Sequence, residues 1–264
     1  MASSLATISS NKIDQTFERL RGENRKALVC YVTAGHPDVS RSIELVKGLE
    51  DEGVDVIEIG VPFSDPIADG PVIQASSQHA LSLGMTLEKT LNLIEKAGVT
   101  VPIVLFTYLN PLLAAGPDVL SRARDAGVDG VLVTDLPVGA DPRREEWLGS
   151  SDLAFIRLVA PTTPTERMRE IALNGSGFVY LISRLGVTGV SAALSPDLPA
   201  TAARLRQATD LPVCVGFGVS EPEQARAAGK VADGVVVGSA LVKAAGKSVS
   251  EALSLARSLR QALN

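Results

Sequence analysis

Arg124-Asp125-Ala126-Gly127-Val128-Asp129-Gly130, running straight into Val131-Leu132-Val133, reads as a helix end, a glycine stop and the start of a buried strand. Glycine just past a helix's last turn closes it in the left-handed conformation, and an unbroken apolar run suits a strand covered on both faces. The phrase returns as Leu49-Glu50-Asp51-Glu52-Gly53-Val54-Asp55 before Val56-Ile57-Glu58-Ile59. It returns again as Ala227-Ala228-Gly229 and Ala232-Asp233-Gly234 before Val235-Val236-Val237. Looser versions are Asn174-Gly175 before Phe178-Val179-Tyr180-Leu181, and Ala97-Gly98 before Ile103-Val104-Leu105-Phe106. Each is the second half of a βα repeat.

Collected along the chain, these runs predict eight strands, near 28–33, 55–60, 102–107, 130–134, 154–159, 177–182, 212–215 and 234–237. Helical patterns separate them, at 40–52, 88–97, 117–126, 165–173, 197–207, 222–227 and 249–263. Asp38 or Ser40, Ser220, and Ser248 or Ser250 can serve as N-caps. Eight alternations in 264 residues point to an α/β protein of the (β/α)8 TIM-barrel class, with a doubly wound open sheet as the rival. An extra helix over 13–20 precedes the first strand and can close the barrel's bottom. No internal linker interrupts the chain, so a single domain over 1–264 is expected, with 1–11 a mobile tail.

A net charge of -5 argues against a nucleic-acid partner. A mean hydropathy of +0.21 suits fully buried parallel strands. Cys30 and Cys214 both fall in apolar runs and read as buried, reduced thiols. No run approaches the ~18 apolar residues of a membrane span. The Ser-rich start lacks a basic opening and an apolar core, so it does not read as a secretory signal and the cytoplasm is the expected compartment.

In a barrel, functional groups sit at the C-terminal ends of the strands and on the loops that follow. Glu58 falls inside an apolar strand, where desolvation of a carboxylate is costly and raises its pKa. Asp65 and Asp69 follow in Val61-Pro62-Phe63-Ser64-Asp65-Pro66-Ile67-Ala68-Asp69-Gly70-Pro71, a stretch too rich in proline and glycine to be helical. A proton-handling carboxylate at a strand end, facing an acidic loop, is how an acid/base site is built. Each residue has a blander reading, since a buried glutamate can anchor a loop and Asp-Gly is an ordinary turn pair.

The loops after the second strand (61–73) and the sixth (183–196) are longer than the connections need. Gly216-Phe217-Gly218 and Gly238-Ser239, after the last two strands, are placed where barrels commonly bind phosphate, and Gly186-Val187-Thr188-Gly189 can complete that cradle. Tyr31, Phe106, Tyr108, Tyr180 and Phe217 fall near strand C-termini and suggest a pocket for a flat apolar ligand beside the phosphate.

Other chemistries are set aside. Gly246-Lys247-Ser248 resembles the end of a P-loop, but Leu241 stands where its first glycine belongs. Gly216-x-Gly218 does not extend into a dinucleotide fingerprint. With His36 and His79 the only histidines and no paired cysteines, no metal site is expected. No lysine, Lys243 and Lys247 included, sits centrally in an apolar strand, where a Schiff-base lysine would be expected.

The segment from Ile57 to Pro71 closely resembles the hallmark of the tryptophan synthase α-subunit family. Further matches occur in family order: Val32-Thr33-Ala34-Gly35, Tyr108-Leu109-Asn110-Pro111, Asp135-Leu136-Pro137, Ala160-Pro161-Thr162-Thr163, Tyr180-Leu181-Ile182-Ser183-Arg184-Leu185-Gly186-Val187-Thr188-Gly189 and Val215-Gly216-Phe217-Gly218-Val219. The resemblance implies retro-aldol cleavage of indole-3-glycerol phosphate to indole and glyceraldehyde 3-phosphate, without metal or Schiff base. It makes Glu58 the general acid/base and Asp69 the partner of the indole N–H. It assigns Gly189, Gly218, Gly238 and Ser239 to the phosphate, and Tyr180, Leu132, Phe217 and Thr188 to the indole pocket.

It further implies an αββα complex in which indole passes to a β subunit carrying pyridoxal phosphate, this chain holding no cofactor of its own. Pro62, Asp65 and Arg184 would then lie on the loops that signal between subunits. The chain departs from the bacterial pattern at Tyr31, Phe106 and Thr134, which bear on the indole pocket. His36 departs too, and bears on a contact of the first βα loop with the second or with a phosphate-bearing ligand. A stand-alone indole-releasing lyase and a silent regulatory barrel remain as alternatives. Retention of both Glu58 and Asp69 counts against the second.

Overall fold

The computed structural model describes residues 11–182, 197–216 and 218–264. Eight parallel strands close into a barrel in sequence order: β1 (Ala27–Thr33), β2 (Val56–Gly60), β3 (Ile103–Thr107), β4 (Gly130–Val133), β5 (Ala154–Val159), β6 (Val179–Ile182), β7 (Val213–Gly216) and β8 (Gly234–Val237), with β8 pairing back onto β1. Closure excludes the open doubly wound sheet.

Twelve helices accompany them among the described residues. They are α1 (Lys12–Gly22), α2 (Val39–Asp51), α3 (Pro71–Ser82), α4 (Leu87–Ala97), α5 (Leu109–Ala115), α6 (Val119–Asp125), α7 (Pro142–Gly149), α8 (Thr165–Leu173), α9 (Leu198–Ala208), α10 (Pro222–Gly229), α11 (Ser239–Ala245) and α12 (Val249–Ala262). None is long and apolar enough to cross a membrane.

Every predicted strand and helix appears within about two residues of its expected bounds. Asp38 caps α2 by accepting from the Arg41 amide, and Ser248 caps α12 by accepting from Glu251. Ser220 does not cap α10. Glu221 does, while the Ser220 amide and hydroxyl both donate to Gln224 Oε1. Asn11, expected in the mobile tail, instead caps α1, its side chain accepting from Ile13 N and donating to the Asp129 carbonyl at 2.8 Å. Residues 1–10 lie outside the described ones.

The strand alternation sorts residues into two cores. Outward positions such as Cys30, Ile57, Leu105 and Val215 pack with the helices. Inward positions, among them Val29, Val56, Val104, Leu132, Ile156, Phe178 and Cys214, fill the barrel. Both cysteines are buried and free, one in each core. α1 plugs the bottom as expected: Ile13, Phe17 and Leu20 join the interior core, with the Phe17 and Phe178 rings 5.7 Å apart. Burial of each such side chain contributes about 1.5–3 kcal/mol.

The aspartate in the repeated phrase also has a structural task. Asp55, Asp129 and Asp233 each precede a strand and accept an amide at the start of the strand before it. These bonds are Leu28 N to Asp55, Ile103 N to Asp129 and Val213 N to Asp233, each 2.9 Å long. Ser176 does the same for Phe155 N at 2.8 Å. Four alternate strand gaps are thereby stapled at the bottom of the barrel, leaving the top to the loops.

Candidate active site

At the C-terminal end of the strands lies a cavity of about 430 Å³, lined by Tyr31, Glu58, Phe106 and Tyr180 from the strands and Asp69 and Gly70 from the loop after β2. Gly218, Gly238 and Ser239 line it on the β7–β8 side. A volume of this size suits a small-molecule ligand.

Glu58 is the central strand residue of β2, an inward position in register with Tyr31 of β1 and Val104 of β3. It is 1% exposed, and its Oε1 has no hydrogen-bond partner among the described residues. Desolvation without compensation pushes its pKa up to about 8. The group is therefore mostly a protonated acid at neutral pH.

Asp69 sits at the end of the loop, just before α3. Its amide donates to Pro66 O at 3.1 Å, and Gln74 Nε2 donates to its carbonyl at 2.8 Å. Desolvation raises its pKa to about 6, opposed by a hydrogen bond from the Tyr108 hydroxyl. Two carboxylates of one cavity thus differ in protonation at neutral pH, one neutral and one ionised.

Tyr108, expected as a wall of the ligand pocket, is 2% exposed and stands behind the loop rather than on the cavity surface. Its hydroxyl accepts from Ala68 N at 3.0 Å and serves Asp69, so it holds the loop and its carboxylate in place. Leu132 is likewise off the wall. It is fully buried inside the barrel in register with Phe106 and Ile156, which makes it a support for the lining aromatics.

Two glycines make room for the tyrosines. A Cβ on Gly60 would lie 1.9 Å from the Tyr31 hydroxyl oxygen, and one on Gly216 would lie 2.2 Å from that of Tyr180. Gly216 therefore serves the aromatic wall rather than the phosphate cradle expected of it. The Tyr31 hydroxyl bonds to Thr33, whose Oγ1 shares a 2.7 Å hydrogen bond with Ser76 of α3. Burial, with the Asp69 charge close by, pushes this phenol further up, so it stays protonated. Phe106 meets Tyr31 edge-on at 5.2 Å.

The site contains residues the sequence reading missed. Val72 and Ile73 of α3 line the cavity, as do Ser220, Gln224 and Lys243. α3, α5 and α11 occupy segments for which the sequence pattern predicts no helix. Had Gly238-Ser239 been taken as a helix start, Lys243, four residues on, would have fallen on the face of Ser239. His36 is not on the cavity wall; its ring packs edge-to-face on His79 of α3 at 5.6 Å and hydrogen-bonds the Val242 backbone of α11. Of the expected interface residues, Pro62 is buried within the chain, whereas Asp65 is exposed and the neighbouring Ile67 is 80% exposed. Arg184, Thr188, Gly189 and Phe217 lie outside the described residues.

A closed eight-stranded barrel with two differently protonated carboxylates at its mouth defines a (β/α)8-barrel enzyme equipped for proton transfer. The family model described as tryptophan synthase alpha chain matches residues 17–263, and the chain belongs to that family. The tryptophan synthase alpha chain of Desulfatibacillum aliphaticivorans is 50% identical over 231 residues, covering 86% of this chain and 87% of that one. The tryptophan synthase of Saccharomyces cerevisiae is 44% identical over 242 residues, 90% of this chain, which spans only 34% of the yeast protein's length. A crystal structure of tryptophan synthase subunit alpha from Legionella pneumophila superposes with a TM-score of 0.88 at 35% identity, covering 97% of this chain and 99% of that one.

Proposed function

We propose that the chain is the α subunit of a tryptophan synthase and cleaves indole-3-glycerol phosphate to indole and glyceraldehyde 3-phosphate. The observation that carries the chemistry is Glu58: buried on the cavity wall, with an unpartnered Oε1 and a proton retained at neutral pH. The protonated carboxyl delivers its proton to indole C3, which breaks the ring's aromaticity and leaves an iminium at the ring nitrogen. Asp69, ionised, accepts the ring N–H hydrogen bond and stabilises that positive charge. Glu58, now a carboxylate, takes the proton of the side-chain hydroxyl next to the ring. The C–C bond breaks, its electron pair returns to the indole, and the oxygen left behind becomes the aldehyde carbonyl. Glu58 ends the cycle protonated as it began.

Acid/base work of this kind contributes roughly 10²–10⁴-fold. Tyr31, Phe106 and Tyr180 form the aromatic wall for indole, with Thr188 and Phe217 assigned to it by sequence position. Gly218, Gly238 and Ser239, with Gly189, take the phosphate. No step calls on a cofactor in this chain; pyridoxal phosphate belongs to the β partner. Exposed Asp65 and Ile67, on the loop that carries Asp69, suit contact with that partner, and Arg184 would join them. Partner binding would then bear directly on the loop that positions a catalytic carboxylate. The cytoplasm is the corresponding compartment.

The test is indole release from indole-3-glycerol phosphate by wild type and Glu58→Gln, with and without a β subunit. Slow wild-type turnover, accelerated by β and reduced at least about 10²-fold by Glu58→Gln, supports the assignment. Equal activity of the two proteins refutes it.

A further inference from the structure

We propose that Lys243 is the cationic anchor for the substrate's phosphate, an assignment that rests on the lyase reading above and names a binding residue that reading lacks. Four acidic or basic side chains line the cavity among the described residues: Glu58, Asp69, Glu221 and Lys243. Three are acids. The phosphate cradle proper, Gly218, Gly238 and Ser239, offers amide and hydroxyl donors but no formal positive charge. A phosphate dianion entering this cavity meets ionised carboxylate and would be repelled unless a cation faces it.

Lys243 is that cation. It lies on α11 four residues after Ser239, so the two share a helix face that borders the cavity. No carboxylate pairs with it among the described residues, whereas Lys247, one turn on, is committed to Glu251 at 3.0 Å. Glu221, the acid nearest in the sequence of the lining, is occupied in capping α10. A lysine's compact ammonium on a flexible stem suits a phosphate held chiefly by backbone donors, because it adds charge without demanding a fixed bidentate geometry. Its exposure keeps the effect moderate and sensitive to salt.

The experiment compares wild type, Lys243→Gln and Lys243→Arg at low and high ionic strength. The readouts are kcat and KM for indole-3-glycerol phosphate, and the competitive inhibition constant of inorganic phosphate. Lys243→Gln should raise KM and the phosphate constant about five- to tenfold at low salt and leave kcat within about twofold, the pattern of lost uniform binding. Lys243→Arg should recover most of the affinity. The wild-type constants should weaken with salt and the Gln variant's much less. Unchanged phosphate binding in Lys243→Gln, or a loss confined to kcat, overturns the proposal. Phosphate binding that depends on Lys243 in a wild type that releases no indole would uphold the anchor and reject the lyase reading.

Discussion

Glu58→Gln should flatten the pH dependence of stability as well as abolish turnover. In the unfolded chain Glu58 ionises near its ordinary value of 4.5, whereas in the folded barrel it keeps its proton up to about 8. Between those values the unfolded state has released a proton that the folded state still binds. Stability therefore falls as pH rises, by about 1.4 kcal/mol per unit. This contribution is fully present below pH 4.5 and is lost through the folded value. From pH 6 to pH 8, with the slope halving as the folded group titrates, Glu58 should remove about 2 kcal/mol. For a chain of this size that corresponds to about 4–8 °C in melting midpoint. Glutamine cannot ionise, so the variant lacks this slope. Comparing the two proteins' pH dependence cancels whatever the substitution does to packing at a fixed pH. The assay is thermal or urea denaturation of both proteins at pH 6, 7 and 8. Parallel stability curves would refute the reasoning, because they would mean that Glu58 is already ionised in the folded protein.

The same two pKa values set the rate profile. kcat/KM should rise through pH 6 as Asp69 ionises and fall through pH 8 as Glu58 loses its proton. Tenfold losses are expected at about pH 5 and pH 9, and a flat profile across that range would count against the division of roles. Tyr108→Phe removes the donor that holds Asp69 down, so the acid limb should move to higher pH while the alkaline limb stays. An unmoved acid limb, measured by pH-dependent kinetics, would show that Tyr108 does not tune Asp69. Gly216→Ala would put a methyl 2.2 Å from the Tyr180 hydroxyl oxygen. It should destabilise the barrel by about 1–3 kcal/mol and raise KM as Tyr180 is displaced; unchanged melting and KM would contradict that packing.

The barrel was readable in the sequence because its signal is local and repeated: a glycine-ended helix, then a short apolar run, several times over. Glu58 was readable for a related reason, since one carboxylate inside such a run breaks the pattern. What escaped depends on contacts between distant segments. α3 buries Ser76 and Ser77, and polar residues on the buried face blur its periodicity. Ser76 is there to bond Thr33, 43 residues away. Tyr108 looked like a pocket wall because it is an aromatic at a strand end, and nothing in the spacing shows that its hydroxyl meets the loop before α3. Gly216 looked like a phosphate glycine, but the need for it comes from the Tyr180 ring on the neighbouring strand. The place of Lys243 beside Ser239 is not legible either, because a seven-residue helix is too short for a periodic signal.

The carboxylates at the two ends of the barrel explain why one end can be given over to chemistry. At the bottom, Asp55 is 5% exposed, yet it accepts the Leu28 amide and meets Arg260 at 2.8 Å, with Arg19 and Arg25 within 4 Å. Asp129 and Asp233 likewise have strand amides and a cation each. Such partners offset part of the desolvation cost and tie the strands in register, although burial still raises the Asp55 and Asp129 pKa values. At the top, Glu58 is more deeply buried than Asp55 and has neither cation nor amide on Oε1. Its only relief is to keep its proton, which is the state the cleavage needs at its start. Supplying the missing partner, as the bottom does for its aspartates, would stabilise the ionised form and take away the acid. The stapled lower end makes that uncompensated burial tolerable at the mouth.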